Sequence, residues 1–278
     1  GMIIGDVGSN LKANTINLIR LSFGLIYLSM FTLFTSGVIF PFHASTSSFL
    51  YLGISGIIGF AIGDFFFIST IMTIGPRFGM LMLSTSPILT AILDYILFGV
   101  KLSLVGYLGI LLTIVGIAIV VLSQRDNGKV LDKKILIKGL LFGILAATGQ
   151  SVGTIFSKMG VSSIGAIQAT QLRIVGGLLA MFVIHLFTKN KDNLFSAIKN
   201  KSVISKMSIA GFLGPALGVW FSLLSLQHTS AGVAATLTST MPIMILPFSI
   251  FYYKEKIGIV EILGTVMSIV GIGILFTF

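Results

Sequence analysis

Leu108 to Leu122 reads LGILLTIVGIAIVVL, a run with no charge and with Thr113 as its one hydroxyl. Apolar residues fall on every side of a helix wound from it, and they do not alternate with a period of two. A strand of a membrane barrel would alternate, because its lumen face is polar, so the run fits a helix that crosses a bilayer. Such a helix needs about 20 mainly apolar residues. Working outward from this run, the same texture recurs between Gly, Pro, Ser or Lys boundaries. It gives nine candidate spans, at roughly 14–36, 48–74, 77–98, 103–123, 137–158, 164–188, 206–228, 231–252 and 257–278. The expectation is an all-α, polytopic membrane protein.

Composition supports this. The 278 residues are 55% hydrophobic and 9% charged, whereas a soluble domain is usually about 25% charged. Soluble, disordered and disulfide-stapled classes are excluded. There is no cysteine, hence no thiol nucleophile or thiolate metal site. His43, His185 and His228 are scattered, so no metal centre is expected, and no cofactor either. The net charge of +10 reads as loops held at the cytoplasmic face, not as affinity for nucleic acid. Lys12, Arg77, the clusters at 125–138 and 189–206, Lys254 and Lys256 fall on one side of the candidate spans. Lys101 and Lys158 fall on the other. The first side is assigned to the cytoplasm, in a cell's inner (plasma) membrane.

The chain also repeats itself. A shift of 155 residues carries Pro87 onto Pro242, Gly56, Gly59 and Gly63 onto Gly211, Gly214 and Gly218, and Ser84-Thr85 onto Ser239-Thr240. The same shift superposes Lys101 on Lys256, Gly109 on Gly264, and Ile114 to Ile117 on Ile269 to Ile272. A shift of 153 places Arg20 on Arg173 and Gly24 on Gly177. Equivalent helices lie an odd number of spans apart, so the copies would cross the membrane in opposite senses, as in many secondary transporters. Residues 1–123 form the first copy with four spans, 124–138 a cytoplasmic linker, and 139–278 the second copy with five. The unmatched helix of the first copy is expected upstream of residue 14.

Two five-helix units, an Arg inside the second helix of each (LIRLSFG at 18–24, QLRIVGG at 171–177) and a Pro in the fourth (STSP ending at Pro87, STMP ending at Pro242) resemble the EamA family of the drug/metabolite transporter superfamily. The KEK turn at 254–256 resembles that family's Glu-containing turn, although Val100 stands at the matching place in the first copy. The resemblance implies a transporter of a small organic metabolite, amino acid or drug, working by alternating access, with no catalytic residues. The rival readings are a membrane-embedded lipid-processing enzyme and a non-transporting membrane fragment.

Ionisable groups inside spans cost roughly 2.5–3.5 kcal/mol on insertion scales, so each is a candidate for function. Asp64, followed by three phenylalanines, is the first candidate substrate-binding residue. It suits a cationic group or a transferable proton, an ion pair with Arg20, whose depth is similar, or both together, since paired charges in a membrane commonly line polar pathways. Arg20 and Arg173 either line the pathway or reach to the interface. Gln150 and Gln171 add polar groups within spans. Trp220 takes the position equivalent to Phe65, beside the Asp64 equivalent Val219, and either supplies an aromatic wall to the same cavity or simply packs between helices. Asp94, near a helix end and two turns from Lys101, reads as interfacial. Pro87 and Pro242 are candidate hinges, each just after a Ser-Thr pair able to bond the carbonyls that Pro leaves free.

Overall fold

A computed structural model describes residues 11–123, 132–187, 197–240 and 258–277. Every regular element among them is helical. In order they are α1 (Ala13–Ser36), α2 (Thr46–Ile74), α3 (Pro76–Leu83), α4 (Ser86–Phe98) and α5 (Leu104–Ser123), then α6 (Lys133–Val161), α7 (Ala166–Phe187), α8 (Lys201–His228), α9 (Ala231–Thr238) and α10 (Ile259–Thr277). Among the described residues six stretches are long and apolar enough to cross a bilayer: α1, α2, the α3–α4 pair from Phe78, α6, α7 and α8. Of the nine spans expected, six are met by length and composition among the described residues. Within α5 and α10 the qualifying apolar stretches are shorter, Leu104–Ile119 and Ile262–Ile274, and the span expected at 231–252 is described only to residue 240. Pro242 and the KEK turn at 254–256 lie outside the described residues.

Helix starts follow local chemistry more closely than hydropathy. The Asp132 carboxylate accepts from the Lys134 N–H at 3.0 Å, which caps α6 at Lys133. The end of the expected 124–138 linker is thus already helical. Asn200 accepts from the N–H groups of Ser202 (3.0 Å) and Val203 (3.3 Å) and starts α8, some five residues before the apolar run alone suggests. Ser45 caps α2 in the same way, accepting from Ser48 at 3.2 Å. These side chains satisfy backbone donors that have no partner within the helix.

Element limits recur at the spacing seen in the sequence. Shifted by 155, the first part of α2, Thr46–Gly56, coincides with Lys201–Gly211 of α8. Both helices then widen into one π turn, Ile57–Gly63 in α2 and Phe212–Gly218 in α8, again 155 apart. α3 maps onto α9 in the same register, and the two N-caps Ser45 and Asn200 also correspond.

The closest approaches between the helices are made at glycines. Lipid tails are as apolar as leucine, so helices associate through close packing and not through exclusion of water. A Cβ added at Gly56 would overlap the Arg173 carbonyl oxygen of α7. On α6, one at Gly153 would lie 3.0 Å from the Gly59 Cα, and one at Gly149 2.8 Å from the Gly63 Cα. α2 is therefore held backbone to backbone between α6 and α7. Across α5 and α10, a Cβ at Gly116 would lie 2.5 Å from the Gly264 oxygen, and one at Gly271 2.7 Å from the Gly109 oxygen. The C-terminal part of α5 thus meets the N-terminal part of α10, so these two helices run antiparallel.

Candidate functional site

The π turn of α2 organises a buried polar network. Winding one extra residue into a turn displaces the backbone, and such turns are frequent at functional sites. Here the carbonyl of Phe60 accepts from Asn17 Nδ2 of α1 at 2.6 Å. One turn on from Asn17, the Arg20 guanidinium donates to Asn17 Oδ1 at 2.8 Å and forms an ion pair with Asp64 Oδ2. Asp64 is the first residue after the π turn. Its other oxygen, Oδ1, accepts from Gln150 Nε2 of α6 at 2.8 Å. Gln150 turns its own oxygen toward Arg173 Nη2 of α7, at 3.5 Å. The Arg173 guanidinium carbon sits 4.7 Å from the centre of the Phe60 ring, a cation–π arrangement. The loop closes on the turn where it began.

Asn17, Arg20, Asp64 and Arg173 are 0%, 8%, 5% and 3% exposed. In this arrangement Asp64 is ion-paired with Arg20, and each of its oxygens has a protein partner. Gly59 makes room for the second guanidinium, since a Cβ there would lie 2.7 Å from Arg173 Nη2. Arg20 Nε and Arg173 Nε are buried without a hydrogen-bond partner.

Other candidates lie elsewhere. Gln171 is fully buried, but its amide donates to Ser29, Thr32 and the Ile39 carbonyl (2.8 Å), tying α7 to the end of α1. Trp220 stacks on Phe221 (5.0 Å) and packs against Phe31 of α1 (5.6 Å). Asp94, near the end of α4, is buried within the protein. It pairs with Lys158 at 2.5 Å, and its second oxygen accepts the Ala231 N–H at 2.8 Å, capping α9. At Pro87 the helix breaks into α3 and α4, and the hydroxyls of Ser84 and Thr85 bond the carbonyls of Leu81 and Met82, both at 2.7 Å. Asn17 is the functional neighbour that hydropathy and charge alone do not reveal. Its spacing of three residues from Arg20 is the signal that could have found it.

A groove of about 300 Å³, lined by Leu18, Ser22, Leu25, Val175, Leu178 and Phe182, opens between α1 and α7. It is apolar, and none of the ionised groups lines it. The network itself is closed off by protein in this conformation.

A solved crystal structure of another protein superposes on 98% of this chain and 90% of its own, with a TM-score of 0.75 and 13% identity. That likeness concerns the fold. An uncharacterized transporter from Clostridium kluyveri is 26% identical over 140 residues, 50% of this chain and 44% of that protein. Two WAT1-related proteins from Arabidopsis thaliana are each 39% identical over 70 residues, 23% of this chain and about a fifth of theirs. The chain therefore spans less than half the length of these relatives. The profile of the EamA-like transporter family matches residues 2–122 and again 137–277. With two matches to one family profile on either side of the 124–138 segment, and apolar helices throughout, this integral membrane protein belongs to the EamA-like transporter family.

Proposed function

We propose that the chain is a secondary transporter of a small organic metabolite, amino acid or drug in a cell's inner membrane. It works by alternating access between two inverted copies, residues 1–123 and 139–278. The observation that carries this reading is the reciprocity of the α5–α10 contact. Gly116 meets Gly264, and Gly271 meets Gly109, pairs that exchange under the shift of 155. Two equivalent helices running antiparallel support a pseudo-two-fold relation between the copies, the relation found between inverted repeats of transporters. The π turns and the break at Pro87 add discontinuous helix beside the network, where backbone can rearrange without facing lipid. Asp64 serves as the fixed partner of Arg20 while the copies rock around them. Proton coupling, if used, then has to be carried by a step that separates this pair.

Reconstituted vesicles test the reading across many candidate substrates at once. Proteoliposomes bathed in a defined mixture of amino acids, organic acids, their amides, amines and inorganic phosphate are washed, and their contents measured by mass spectrometry. Saturable accumulation of at least one compound above protein-free liposomes is expected. Contents identical to protein-free liposomes, with folded protein present, reject transport of these classes.

A further inference from the structure

The charge balance of the network bears on which substrates the proposed transporter takes, and this inference rests on that reading. Among the described residues two cations have carboxylate partners, buried Arg20 with Asp64 and partly buried Lys158 with Asp94. Arg173 has none. It is 3% exposed, its Nε–H is unpartnered, and the Gln150 oxygen lies at 3.5 Å, the outer limit of a hydrogen bond. A guanidinium stays charged in proteins, so this group cannot escape its burial by losing a proton.

The repeat shows what is lacking. Each arginine leans over the π turn of the other copy: Arg20 Nη1 lies 3.6 Å from where a Cβ on Gly214 would stand, and Arg173 Nη2 2.7 Å from where one on Gly59 would stand. Arg20 finds its counter-ion in Asp64, directly after the first π turn. The residue directly after the second π turn is Val219. The second copy keeps the arginine and lacks the carboxylate. We infer that the substrate supplies it. The ligand is a small organic acid whose carboxylate takes the planar fork of Arg173 in two parallel hydrogen bonds, replacing the long contact to Gln150. Gln150 remains bonded to Asp64 and so keeps the neighbouring pair closed. Gly59 leaves the guanidinium uncrowded, and the Phe60 ring covers one of its faces.

The vesicle experiment described above, repeated with three variants, tests this. In the parent protein, compounds bearing a free carboxylate should accumulate and their amides, the amines and inorganic phosphate should not. Arg173→Gln should lower that accumulation by about tenfold or more, as expected when a buried charge loses its partner, and Arg173→Lys should restore part of it. Val219→Asp leaves Arg173 in place but gives it an internal counter-ion, and it should also suppress uptake. Folding of each variant is read from its elution as a single species in detergent. Accumulation of amides, amines or phosphate alone overturns the carboxylate assignment while leaving the transporter reading intact. So does carboxylate uptake undiminished in both Arg173→Gln and Val219→Asp. Empty vesicles with the parent protein overturn both.

Discussion

Arg20 and Asp64 each stand where a lone charge is costly, and each is held by the other. Removing one partner of such a pair leaves an uncompensated buried charge, at roughly 3–5 kcal/mol, whereas removing both is much cheaper. Asp64→Asn should therefore lower the stability of the purified protein by about 3 kcal/mol. The double variant with Arg20→Gln should recover most of that loss, measured by denaturant unfolding in detergent. Equal loss in the single and double variants would mean that the pair does not hold the fold. The ionised members of this network were legible in the sequence because a charge in an apolar run stands out, and Gln150 because an amide does. Asn17 was not, since an Asn near a helix start is ordinary. For Trp220 the sequence left both an aromatic wall and plain helix packing open, because a repeat shift equates backbone positions and does not say which way a side chain turns. In the fold its neighbours are Phe31 and Phe221.

At the scale of elements, glycine spacing decides how near α7 and α6 come to α2. Gly56→Ala has no room against the Arg173 carbonyl and should cost most of the folded yield. A Cβ at Gly53, three residues earlier, would meet nothing within 4 Å, so Gly53→Ala should leave the yield unchanged. Similar yields of both variants in a fluorescence-detected size-exclusion assay would refute backbone contact at Gly56. Pro87 belongs to this scale too. Because Ser84 and Thr85 already satisfy carbonyls at the break, Pro87→Ala should slow turnover more than it weakens binding, if the break moves during transport. Equal losses of both would leave only a static kink. The sequence marked the glycines and prolines but gave no sign that Ile57–Gly63 winds as a π turn, since hydropathy is blind to one extra residue per turn. Pro215, inside the second π turn, was the clue on offer.

For the whole molecule, the sequence shift carried most of the architecture. Ordered Gly and Pro matches fix register in a way that apolar residues, interchangeable in lipid, cannot. The number of crossings was less legible, because apolar length alone does not say where a helix ends. The inverted arrangement proposed above would put Ser45 and Asn200, exposed equivalent caps of α2 and α8, on opposite faces of the membrane. The chain has no cysteine of its own, so Ser45→Cys and Asn200→Cys can be probed one at a time. An impermeant maleimide applied to sealed, uniformly oriented vesicles should label one and spare the other. Labelling of both from one side would end the inverted reading.

The α5–α10 contact has one more implication. A surface that meets its own counterpart through exchanged pairs is what a homodimer of identical subunits displays. This seam has the form that would join two half-length polypeptides, as it joins the halves of one. On that view the segment between the copies is a tether: it raises the effective concentration of each half for the other, while the glycine faces determine how they meet.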